Sequence, residues 1–80
     1  MTINEAPLNK KMTIQYHQYP QGEMSDLESR LMHLGFIDGA KVEVKRKSPF
    51  IRGPLLVEVR GRIVALSQDE ARLVNVELSL

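Results

Sequence analysis

Two histidines, His17 and His33, are the only imidazoles in this 80-residue chain, and it contains no cysteine. Disulfides, thiolate metal sites and cysteine catalysis are therefore excluded. A closed zinc site needs converging nitrogen or sulfur ligands, and the chain is poor in both. His33 falls where the last turn of a helix is expected, and a cationic imidazole is favourable there on its own account. Arg30 and Ser29 stand three and four residues before it, and neither is a second imidazole or carboxylate ligand. His17 and His33 are thus the metal candidates, for a transient ferrous or zinc contact without a converging donor set.

Gly35 and Gly39, in "RLMHLGFIDGAKVEV", stand four residues apart. A G-x-x-x-G pair can pack membrane helices, a glycine loop can hold phosphate, and glycines can simply turn the backbone. No apolar run approaches the roughly 20 residues that span a bilayer, and "MTINEAPLNKKMTIQ" lacks the apolar stretch of a secretory signal. A soluble, intracellular chain without membrane insertion is expected. No G-x-x-x-x-G-K-[ST] is present, and Gly39 leads into a strand rather than a helix N-terminus. Ser25, Ser29, Ser48, Ser67 and Ser79 lack the context of an activated nucleophile. Asp69 and Glu70 are adjacent and suit the start of a helical turn. No enzyme is expected.

Charge is unevenly spread. Residues 41–62 carry seven basic side chains against Glu43 and Glu58, a local +5, whereas residues 1–40 and 63–80 each carry −2. Lys41, Lys45, Lys47, Arg46 and Arg52 could track phosphates of a nucleic acid. Single-strand binders interleave such residues with aromatics. The four aromatics, Tyr16, Tyr19, Phe36 and Phe50, all lie outside the basic strand. A solvated strand face accounts for these lysines more simply.

Eighty residues make one small domain, which buries only about 60–65% of its unfolded surface. Residues 1–11 are polar and read as a flexible N-terminal arm, and residues 12–80 as the domain. "MTIQYHQY" (Met12–Tyr19) reads as a strand. Ser25 and Glu28 form a capping box, and Leu27, Leu31 and Leu34 follow at helical spacing. Gly35 suits the left-handed position that ends a helix, which makes Phe36 the contact partner of Leu31. "KVEVKRK" (Lys41–Lys47) alternates with Val42 and Val44 inward. Ser48–Pro54 is a loop. Leu55–Arg60 and Arg62–Ser67 form a hairpin about Gly61. Gln68–Arg72 is a helical turn, and Leu73–Leu80 a closing strand with Val74, Val76 and Leu78 inward. Five short strands and one helix predict a mainly β, strongly bent, antiparallel barrel.

Taken in order, "LMHLGFIDG", "VEV", "SPFIRGPLLVEVRG", "ALSQDEA" and "VNV" resemble the FeoA family, ferrous iron transport protein A, over Met12 to Leu78. The resemblance implies an SH3-like barrel. It also implies a cytoplasmic accessory protein that binds and regulates FeoB, a membrane iron permease with a cytoplasmic G domain. It implies no resident cofactor and leaves ferrous iron as a transient ligand. The same barrel resembles the C-terminal domain of iron-dependent DtxR-type repressors, but the chain has no room for their winged helix. Two departures stand out. Asp38 replaces the usual proline before Gly39, and the "PFIRGP" loop is one residue longer than the common form. The partner contact is expected at the helix end (Leu31, Met32, Leu34, Gly35, Phe36) and at the loop (Phe50, Arg52, Pro54). Core packing is the favoured reading of Leu31, Leu34 and Phe36, given their helical spacing, whereas Met32 lies off the leucine face. Self-association through exposed strand edges is also open.

Overall fold

Alternation builds the centre of the sheet. The computed structural model describes residues 1–15, 26–50 and 53–79. In β2 (Lys41–Lys47) Val42 and Val44 are buried, and in β3 (Leu55–Val59) so are Leu55, Val57 and Val59. The two strands pair antiparallel, with a bulge between Val44 and Arg46 that bends β2. β3 continues into β4 (Arg62–Leu66) through a two-residue turn. Arg60 and Gly61 both have positive φ, 51° and 79°, as a type I′ hairpin requires. The shorter β1 (Met12–Ile14) pairs with β2 and with β5 (Val76–Leu78), again antiparallel.

The expected five-stranded antiparallel architecture is present, but its hydrogen-bond ladder is not closed. Strand order is β4-β3-β2-β1-β5, so β4 and β5 are edges. Between them lies α2 (Gln68–Ala71), one helical turn capped by Ser67. This turn carries the chain from the end of β4 across to β1. β5 is shorter than the Leu73–Leu80 strand that alternation suggests. Val74 and Val76 are buried as expected, while Leu78 is 51% exposed. The last residue of an edge strand has no neighbour on its outer side.

Residues 1–11, expected as a loose arm, pack against the barrel. A 3₁₀ turn, Ile3–Glu5, puts Ile3 into the core, and Ala6 follows it there. The Ile3 amide donates to Val74 O at 3.0 Å, the Val76 amide to Met1 O at 2.7 Å and the Asn9 amide to Val44 O at 2.8 Å. The segment's amides thus find partners on β2 and around β5, and Ile3 and Ala6 find the core, while Met1 and Leu8 stay exposed. Short stretches without periodicity give no such signal in sequence.

The helix α1 (Asp26–Leu34) covers one side of the core. Of its leucine stripe, Leu31 is buried, Leu34 is half-buried and packed on the core, and Leu27 in the first turn is exposed. Ser25 lies outside the described residues, as do Tyr16, Tyr19, the far half of the Met12–Tyr19 strand and Leu80. No helix among the described residues is long and apolar enough to cross a membrane.

Candidate functional site

The end of α1 forms as its sequence suggests. The Phe36 amide donates to Leu31 O and the Gly35 amide to Met32 O, both at 3.0 Å. These are the two bonds of a Schellman motif, with Gly35 at φ 104°. The motif folds Phe36 back over Leu31, and both are buried. Gly35 is buried beneath the Arg60 side chain. The expected contact set is corrected here: Leu31, Gly35 and Phe36 belong to the interior, and Leu34 lies against it. Met32 points away and is 44% exposed.

Gly39 sits third in the turn Ile37–Ala40, which the Ala40 amide closes onto Ile37 O at 3.0 Å. Its φ of 84° suits a type II turn. Asp38 holds the second position, where proline's fixed φ also fits. The replacement of proline by aspartate is thus accommodated without refolding the loop.

In the second expected contact region the described residues hydrogen-bond to one another. The Ser48 hydroxyl accepts from the Phe50 amide at 3.1 Å. The Gly53 amide donates to Phe50 O at 3.0 Å, and the Ser48 amide to Pro54 O at 3.2 Å. Gly53 passes so close to Ser48 that a β-carbon there would overlap the Ser48 Cβ and Oγ. Phe50 is 78% exposed. Pro54 is exposed as well. Arg52 lies outside the described residues.

A feature missed in sequence links this loop to α1. Gln68 Nε2 donates to Gly53 O at 3.1 Å. Two residues on, Glu70 is 3% exposed. Its Oε1 accepts from the Ser67 amide at 3.0 Å, the Glu70 amide donates to Ser67 Oγ at 3.1 Å, and its Oε2 accepts from Arg30 Nη1 at 2.8 Å. One helical turn thus ties the loop on one side and α1 on the other. The S-x-x-E spacing of Ser67 and Glu70 is the capping-box signature that would have found half of it. The 40-residue reach to Arg30 had no local signal.

The basic strand is partly neutralised. Lys45 Nζ pairs with Glu43 Oε2 at 2.6 Å. Glu43 stands directly opposite Glu58 in the sheet. The hydrogen bond to Glu43 holds Lys45 above the ordinary lysine pKa, with Glu58 adding to the field. Lys41 Nζ donates to Thr13 Oγ1 at 2.7 Å. A cleft of about 370 Å³ beside them is lined by Lys11 and Lys41 but also by Glu43 and Glu58. Such mixed charge does not make a phosphate track. Arg46 and Lys47 are exposed.

For metal, His33 is exposed in the last turn of α1. Among the described residues no three His, Asp or Glu side chains converge. His17 lies outside them.

A sequence model of the FeoA domain matches residues 1–78. Among solved structures, FeoA of Stenotrophomonas maltophilia is 34% identical, with 96% of this chain and 89% of that one covered and a TM-score of 0.79. That protein was solved complexed with zinc and is described as an SH3 domain protein, put forward as a ferrous iron transport activating factor. Iron(II) transport protein A of Clostridium thermocellum is 22% identical over 98% of this chain and 45% of its own, with a TM-score of 0.83. A FeoA-like protein of Clostridium acetobutylicum is 24% identical over 100% of this chain and 87% of its own, with a TM-score of 0.80. The two clostridial structures share the fold. No curated protein sequence matches the chain.

Proposed function

Because the chain belongs to the FeoA family of ferrous iron transport accessory proteins, we propose that it docks on the cytoplasmic portion of a FeoB-like permease and regulates it. The observation that carries this reading is Phe50, an aromatic ring 78% exposed whose amide bonds to the Ser48 hydroxyl. An exposed aromatic has few rotamers to lose on binding and makes an effective anchor. Met32 and Pro54 supply further exposed apolar surface. Action in the cytoplasm is part of the same proposal, since the G domain of such a permease lies there.

The test is a titration of the FeoB cytoplasmic domain with this chain in nucleotide-free, GDP-bound and GTP-analogue states, with GTP turnover measured alongside. Binding that weakens at least about tenfold in Phe50→Ser supports the docking reading. Absence of binding in every nucleotide state sinks it. A change in GTP turnover on binding supports regulation, and unchanged turnover leaves docking without it.

Direct metal contact is the second reading, favoured by the zinc found with the Stenotrophomonas relative. Anaerobic calorimetry with ferrous iron tests it. Affinity that is unchanged in His17→Ala and His33→Ala refutes a histidine role.

A further inference from the structure

We propose that β4 is a self-association edge, where a second copy of this chain pairs antiparallel about a two-fold axis through Val64. The proposal stands apart from docking on a permease. It starts from the two edges of the sheet, which are treated differently. The outer side of β5 is occupied near its start, by the Thr2–Asn75 bridge and the Val76 amide bonded to Met1 O. Among the described residues no strand pairs with the outer side of β4.

An uncovered edge is normally blunted by a bulge, a proline or a charge in its middle. β4 has none of these. Its register with β3 runs without a shift, and Ile63, Val64, Ala65 and Leu66 follow Arg62 without a charge. The hairpin fixes which backbone groups are free. Val59 and Arg62 close the two-residue turn, so Arg62, Val64 and Leu66 bond inward to β3. The amides and carbonyls of Ile63 and Ala65 therefore point out from the edge. Their side chains share the outer face of the sheet, with Ile63 55% exposed and Ala65 exposed.

This pattern is complementary to itself. With Val64 on the two-fold, Ile63 of each copy faces Ala65 of the other, and the two pairs exchange four main-chain hydrogen bonds. The exposed isoleucine then packs beside a small side chain rather than a second isoleucine. Charge selects the same direction. β4 begins at exposed Arg62 and is followed by Asp69, whose side chain is 81% exposed and lies 3.7 Å from Arg72 of its own chain. Antiparallel pairing brings the Arg62 end of each copy to the Asp69 end of the other. Parallel pairing would set Arg62 beside Arg62. A closed two-fold dimer also consumes the β4 edge of each copy, so this contact builds no open fibre.

Sedimentation over a concentration series tests this on the whole chain. The wild-type chain is expected to show a concentration-dependent dimer. Ile63→Lys, at an exposed position, and Ala65→Pro, which removes an outward amide that β3 does not use, should both be monomeric with nearly unchanged thermal midpoints. Arg62→Glu and Asp69→Arg should each weaken the dimer about three- to tenfold, and the two together should restore it. A wild-type monomer across the series overturns the proposal. So does a dimer that survives Ile63→Lys. Charge variants that fail to compensate overturn the antiparallel register. Ile63→Lys decides the matter if Ala65→Pro proves unstable.

Discussion

The Arg60 side chain lies directly over Gly35: a β-carbon at Gly35 would stand 3.1 Å from Arg60 Cδ and 3.7 Å from Val59 Cγ2. The tip of the β3–β4 hairpin is thereby seated on the end of α1. Gly35→Ala meets this contact and also a φ of 104°, which a side chain resists. The substitution should destabilise the fold by about 1–3 kcal/mol. Each kcal/mol lowers the thermal midpoint by about 4–8 °C in a domain of this size. Arg60→Gly removes the obstructing side chain and relieves the φ of 51° at that position. The double variant should therefore be less destabilised than Gly35→Ala alone, as a thermal-melt double-mutant cycle will read.

Glu70 should be the most sensitive charged position among those described. It is buried, caps α2 and accepts from Arg30. Arg30→Ala leaves the carboxylate with one partner fewer and should cost about 1–2 kcal/mol. Part of the loss is offset because the Arg30 side chain is already 57% exposed. Glu70→Ala loses the cap as well and should cost more, about 2–3 kcal/mol. Urea unfolding of the two variants compares them.

Gly53→Ala separates loop shape from core stability. Its β-carbon cannot coexist with the Ser48 side chain in the present loop. The loop must open, at about 1–3 kcal/mol, and Phe50 loses its fixed presentation. Partner affinity should fall in Gly53→Ala about as far as in Phe50→Ala. Phe50→Ala itself should leave stability within about 0.5 kcal/mol of the parent. Calorimetric titration and a thermal melt, run on both variants, check the pair.

Half-buried Lys45 and exposed Glu5 give opposite pH signatures. The Lys45 pKa is raised, first by its hydrogen bond to Glu43. Its contribution to stability is complete below the ordinary lysine pKa and is lost as pH rises through the raised one. The Glu5 pKa is lowered, first by the Thr2 hydroxyl. Its contribution is present above the ordinary carboxylate pKa and is lost as pH falls through the lowered one. NMR titration should place the two midpoints on those sides. Glu43→Gln should bring Lys45 back towards the ordinary value.

Much of the fold was legible because it rests on local rules. Val42, Val44, Val57 and Val59 announce buried strand faces by alternation. Leu31, Gly35 and Phe36 announce the helix end by spacing and by the need for a left-handed residue. The same three positions show where site reasoning stopped. The motif that marks the family offers a contact surface or, as the favoured reading, core packing, and Leu31 and Phe36 are buried while Met32 and Phe50 lie outside. The docking of Ile3 and Ala6, the reach of Arg30 to Glu70 and the seating of Arg60 over Gly35 were not legible. Each joins residues far apart in the chain, and no local pattern encodes such a meeting.

The pairing of β1 with β5, and of Met1 and Thr2 with Asn75 and Val76, has a consequence for how the chain is made. The first fifteen residues find some of their partners on β2 and the rest among the last six described. The core that buries Ile3, Met12 and Ile14 is complete only once Val74 and Val76 have been made. Contacts of such separation fold slowly. The stretch of time in which those side chains are open to chaperones, or to other nascent chains, is set by the length of the domain itself.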